Sequence, residues 1–179
     1  MKQFLFFIAI AVLSACTTGG GETAQSEESA TKSVAKDRAI GFNTELPDLK
    51  WHLGTEKAIQ VVKDFDKAWA AEDYDAMRSF FADTAEMVFP DGKVAKSGDE
   101  AIQMIKEEDD AEAEVSWTMD YAFSVDLDPT RGGEHVQAGY TVTTKSGDKE
   151  MTKRYHEWTY VVDGKIVQYY QFTIDGPGE

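Results

Sequence analysis

Cysteine is nearly absent from this chain: one occurs, at position 16, so no disulfide can form within the molecule and an apolar core must hold the fold. Basic residues are scarce as well. Eighteen Lys and Arg face 33 Asp and Glu, and the resulting formal charge of -15 repels nucleic acid phosphates and anionic membrane surfaces, which excludes nucleic acid as a partner. Histidine appears three times, at His52, His135 and His156, with no pair on one helical turn, so no metal is expected. The acidic run Glu107, Glu108, Asp109, Asp110, Glu112, Glu114 lacks the alternating oxygen ligands and the glycine of a calcium loop and reads as a solvated connector. There is no glycine-rich phosphate loop and no Gly-x-Ser-x-Gly turn, which removes support for nucleotide and serine hydrolase chemistry; no cofactor is expected. What is present in quantity is apolar surface, 42% of residues hydrophobic and 12% aromatic, ample for one domain in a chain of 179 residues.

The amino terminus reads as an address. Lys2 supplies positive charge, and Phe4 to Val12 is an apolar run of signal-peptide length, too short to remain as a membrane span. It ends in Leu13-Ser14-Ala15-Cys16, which resembles the bacterial lipobox, and this implies lipidation at Cys16 with loss of residues 1–15. Two or more acyl chains, at about 0.8 kcal/mol per buried CH₂, anchor a protein stably. Residues 16–45 are rich in Gly, Ser, Thr, Ala and Glu and cannot bury enough surface to order themselves; they read as a flexible tether spanning on the order of 30 Å. The expected location is the bacterial cell envelope, with the lipid anchor in the membrane and residues 46–179 forming the domain.

Within that domain Ala58, Ile59, Val62, Phe65 and Trp69 recur at helical spacing while Lys63, Asp64, Asp66 and Lys67 fill the other face. Thr55 can cap this helix. A second helix begins after Asp73 and buries Tyr74, Met77, Phe80 and Phe81. A strand from Thr84 to Phe89 stops at Pro90-Asp91-Gly92, and Lys93 to Lys96 can pair back onto it. Ser97-Gly98-Asp99-Glu100 has capping-box spacing and launches a third helix. From Val115 to Leu127 every odd residue is large and apolar, the period of a strand with one buried face. Val136, Ala138, Tyr140 and Val142 repeat the pattern. A strand from Lys149 to Val162 meets Asp163-Gly164, a strong hairpin signal, and Lys165 to Ile174 returns.

The order of these elements, with Phe81-Ala82-Asp83-Thr84-Ala85, Phe89-Pro90-Asp91-Gly92 and Asp163-Gly164-Lys165-Ile166 at their places, resembles the SnoaL-like branch of the nuclear transport factor 2-like (NTF2-like) superfamily over about residues 51–175. The resemblance implies an α+β cone, three N-terminal helices packed on a curved, mostly antiparallel sheet. It also implies a pocket inside the cone, into which the last strand often points an acidic residue. That place falls here on Gln171, whose amide cannot act as a general base. The superfamily includes isomerases, dehydratases, cyclases and epoxide hydrolases beside noncatalytic binding and dimerising modules, so fold alone does not give function.

With a regular two-residue turn at Asp163-Gly164, Gln171 pairs with His156 and Tyr169 with Trp158 on one face. The expected pocket lining is then Trp69, Phe89, Trp117, Tyr121, His156, Trp158, Tyr169 and Gln171. Asp120 and Glu157 fall on the opposite face, a placement that a one-residue bulge would reverse. Two readings follow. In the first, a noncatalytic domain binds a small apolar or aromatic ligand, or associates through its sheet with a protein partner or as a homodimer. In the second, an isomerase, cyclase or hydrolase uses His156 as acid or base, with Tyr169 and Gln171 beside it. Two polar groups within hydrogen-bond reach in an open cavity favour the enzyme.

Overall fold

A computed structural model of the protein describes residues 39–109 and 114–174. The signal segment, Cys16, most of the tether, and Asp110 and Glu112 of the acidic run lie outside the described residues. The chain enters through an isolated antiparallel bridge, Ile40 to Trp51, inside and just beyond the span assigned to the tether. Strand β1 (His52–Leu53) follows, then helix α1 (Glu56–Ala70). Thr55 caps α1 by accepting from the Ala58 amide at 3.4 Å, and Glu56 places negative charge at the positive end of the helix dipole. Its apolar stripe, Ala58, Val62, Phe65 and Ala68, is buried at three- and four-residue steps.

Asp73 caps helix α2 (Tyr74–Phe80) through the Ala76 amide at 3.0 Å. The helix ends one residue earlier than its apolar pattern suggests: Phe81 is already extended and opens strand β2 (Phe81–Val88), with its ring still buried. The Pro90-Asp91-Gly92 turn, with Gly92 at φ 85°, returns the chain into strand β3 (Val94–Ala95). Ser97 then opens helix α3 (Gly98–Asp109), accepting from the Glu100 amide at 3.1 Å while the Glu100 carboxylate accepts from Lys96 N–H at 2.7 Å. Four long strands complete the domain: β4 (Glu114–Asp126), β5 (Glu134–Ser146), β6 (Lys149–Val162) and β7 (Lys165–Ile174).

These strands form one seven-stranded sheet in the order β1-β4-β5-β6-β7-β2-β3. Every neighbouring pair is antiparallel except β2 with β7, so the sheet is mixed. The expectation of three N-terminal helices needs correction, since β1, β2 and β3 are interleaved with them and only β4 to β7 follow all three. The physical reason lies in β2, against which α2 and α3 pack: its Ala85 and Met87, with Phe89 just beyond it, share one core with Phe65, Met77, Ile105, Ile166 and Tyr169. None of the described helices is long and apolar enough to cross a membrane.

Two register breaks decide which side chains enter the cone. On β4 the pairing slips between Met119 and Tyr121, so Asp120 is an extra residue. Trp117 and Met119 point inward, and beyond the bulge the odd residues turn outward, leaving Tyr121 51% and Phe123 44% exposed. The unbroken odd-position face expected for this strand is therefore two half-faces. On β7 the pairing slips at Val167, with Val161 opposite Ile166 but Tyr160 opposite Gln168. Both Ile166 and Tyr169 consequently point inward, which strict alternation forbids.

Candidate functional site

The β7 bulge shifts the partners of β6 by one residue, so Gln171 lies opposite Glu157 rather than His156, and Tyr169 opposite Thr159 rather than Trp158. Glu157 also faces Ala138 of β5, a fully inward position, and its side chain is only 6% exposed. Its carboxylate accepts from Gln171 Nε2 at 3.0 Å. The hydroxyls of Tyr140 and Tyr169 interact with the same carboxyl, although that of Tyr169, buried, closes no hydrogen bond of ordinary geometry. Across from Glu157, helix α1 supplies Asp66, which accepts from the indole Nε1 of Trp117 at 2.7 Å. Trp69, one turn further along α1, meets Trp117 edge to face with ring centroids 6.2 Å apart.

Between these groups is a half-enclosed cavity of about 200 Å³. Asp66, Trp69, Trp117, Tyr140, Glu157 and Gln171 line it, with Tyr155, Val115, Val142, Thr144 and Glu108 completing the wall. Burial raises the Glu157 carboxyl to about 7, against the opposing pull of Tyr169, Gln171 and Tyr140, and the nearby Asp66 charge adds to the rise. Burial likewise raises Asp66, partly offset by the Trp117 hydrogen bond. The cavity thus holds a carboxyl that is poised between its two protonation states near neutral pH.

The eight residues expected to line a pocket separate into three groups. Trp69, Trp117 and Gln171 line the cavity. Tyr169 lies behind it against Glu157, and Phe89 is core, packed with Met87 and Phe65. Tyr121, His156 and Trp158 are on the outer face of the sheet: Tyr121 Oη is 3.2 Å from His156 Nδ1, and the Trp158 indole donates to His135 Nδ1 at 2.9 Å. There His156 and Trp158 border a shallow groove with Ile40, Trp51 and Phe172. Placing His156 inside and Glu157 outside is therefore corrected by the bulge. Gly139, opposite both Tyr121 and His156, leaves room for the Tyr121 ring, which occupies the space a side chain there would fill.

Asp66, Tyr140, Tyr155 and Glu157 were not among the expected site residues. The charge pattern assigns Asp66 to the solvent face of α1, yet it sits between Val62 and Trp69 at four- and three-residue steps, within the apolar stripe. Glu157 carries a signal in the neighbouring hairpin. Ser146 pairs with Lys149 across a tight turn, and counting back along β5 brings the inward Ala138 opposite Glu157 without passing any bulge. Among the described residues no cluster of His, Cys, Asp and Glu could hold a metal ion.

Residues 62–169 match the SnoaL-like domain family. Among curated proteins none matches the chain. The fold is shared with solved structures at low identity. An LEH-like epoxide hydrolase of M. tuberculosis is 16% identical, with 67% of this chain and 84% of that one covered at a TM-score of 0.55. A ketosteroid isomerase-like protein of Erwinia carotovora atroseptica is 14% identical, covering 75% and 100% at 0.54. The S. rosetta CaMKII hub is 20% identical, covering 68% and 98% at 0.55. These likenesses show the fold alone, which carries catalytic and assembling proteins alike.

Proposed function

The chain belongs to the SnoaL-like domain family, and we propose that its inner cavity performs general acid–base chemistry on a small ligand, with Glu157 as the proton carrier. One observation carries this reading: a buried carboxyl, held by Gln171 and raised by burial to about 7, forms part of the wall of a half-enclosed cavity. A carboxyl so poised can release a proton to a substrate oxygen or take one from carbon beside a carbonyl, at a cost that neutral pH does not penalise. Asp66, fixed by the Trp117 indole on the opposite wall, is placed to act on the other side of the same ligand. The reaction class is then that of an isomerase, cyclase or hydrolase. At about 200 Å³ the cavity suits a small molecule.

Around this activity we place a lipid anchor at Cys16, a tether, an envelope location, and self-association through the outer face, where Tyr121, Phe123, Trp158 and Phe172 are exposed. Glu157→Gln and His156→Gln separate the two candidate proton carriers, because each keeps a hydrogen-bonding side chain and removes a titrating group. Assayed on small epoxides, enones and polyketide-like compounds, the Glu157 variant is expected to lose roughly 10² to 10⁴-fold in turnover while the His156 variant keeps it. Full activity in Glu157→Gln would leave the cavity as a binding site only.

A further inference from the structure

The lining of the cavity is unusual in its charge. Among the described residues that form it there are three carboxyls, Asp66, Glu108 and Glu157, and no lysine, arginine or histidine. Lys153, two residues along β6 from Tyr155, and Glu108 each have interactions of their own, which leaves Asp66 and Glu157 as the carboxyls that bear on a ligand. The groups that face Glu157 are Gln171 and Tyr169 from β7, Tyr140 from β5 and Asp66 from α1: three uncharged and one of its own sign. Asp66 is held by an uncharged indole. A carboxylate withdrawn from water is stable when paired with a cation, and none of the described groups that bear on Glu157 or the half-buried Asp66 is one. The Tyr169 hydroxyl, buried behind the cavity against Glu157, brings no charge to it either.

The remaining walls are rings. Trp69, Trp117, Tyr140 and Tyr155 surround the carboxyls, and aromatic faces attract positive charge as well as apolar surface. A neutral apolar ligand would gain nothing from two carboxyls in its path. Resting on the reading of this cavity as the ligand site, we infer that its ligand is a small organic ammonium ion, set between Asp66 and Glu157 and enclosed by Trp69, Trp117, Tyr140 and Tyr155. The volume, equal to roughly seven waters at about 30 Å³ each, fits a cation of that size. The net charge of -15 draws cations toward the molecule before they reach the cavity.

Choline and its uncharged isostere 3,3-dimethylbutan-1-ol, titrated calorimetrically into the full chain at pH 6, 7 and 8, test this directly. Choline is expected to bind at least about tenfold more tightly than the alcohol at pH 8, and to tighten between pH 6 and 8 as it displaces a proton from Glu157. Trp69→Leu, which keeps an apolar wall and removes the ring, should weaken choline several-fold more than it weakens the alcohol. Equal binding of the two probes, preference for the alcohol, or no binding of choline at millimolar concentration overturns the inference. Glu157-dependent turnover with no choline preference would sink the ammonium ligand and spare the acid–base reading. Choline preference with turnover indifferent to Glu157 would do the reverse.

Discussion

Glu157 is where burial and chemistry meet most sharply. A glutamate in water ionises near 4.5, and burial in the cavity wall moves this one to about 7, so the folded protein binds a proton there that the unfolded chain has released. The consequence for stability has a definite sign. Below about pH 4.5 both states are protonated and the group is neutral in its effect; as pH rises through 7, stability is lost, because the native state must then hold a buried charge. Glu157→Gln removes that loss. Thermal unfolding of the variant should show it more stable than the parent at pH 8, by up to about 3 kcal/mol, and indistinguishable at pH 4. A variant less stable than the parent at pH 8 would mean that the Glu157 carboxylate is held favourably. Stabilisation on removing a group that burial disfavours is the usual mark of a residue kept for its chemistry.

At the scale of elements, the apolar patterns and caps of the sequence located nearly everything that depends on local periodicity. The helix bearing Ala58, Val62, Phe65 and Trp69, the Thr55 and Ser97 caps, the helix start after Asp73, and the spans Lys149–Val162 and Lys165–Ile174 stand in the structure as the spacing predicts. The Asp163-Gly164 turn has the positive φ values, 50° and 78°, that such a hairpin demands. What periodicity cannot show is a residue added to one strand of a pair. Asp120 and Val167 look like any other strand residues, yet each changes which side of the sheet its successors face. The bulge at Val167 moved His156 out of the expected site and Glu157 into it. The β5–β6 hairpin, paired without a break from Ser146 to Glu134, held the correct register, and the inward Val136, Ala138 and Tyr140 fix the face of Glu157 through it. Asp66 is obscured differently: a charge within an apolar helical stripe is easily assigned to solvent, and its Trp117 partner, which holds it half-buried at the cavity, lies 51 residues away.

For the molecule as a whole, the proposed lipid anchor and the cavity call for separate tests. Cys16→Ser removes the thiol that would carry the lipid, and fractionation of cells is expected to find that variant in the soluble fraction and the parent in the membrane; a variant that stays with the membrane would remove the anchor from the account. Sedimentation of the released form should read a dimer, since Tyr121, Phe123, Trp158, Phe172 and Ile174 present aromatic and aliphatic surface on one face of the sheet. The cavity itself depends on every layer: α1 brings Asp66 and Trp69, β4 Trp117, β5 Tyr140, and the bulged β7 aligns Gln171 with Glu157. Whether that assembly does what is claimed for it is most directly read by following the carboxyl carbon of Glu157 by ¹³C NMR from pH 3 to 10, with Glu157→Gln to assign the signal. A midpoint near 7 is the predicted result; titration at the ordinary glutamate value near 4.5 would contradict it, and with it the role of Glu157 as a proton carrier at neutral pH.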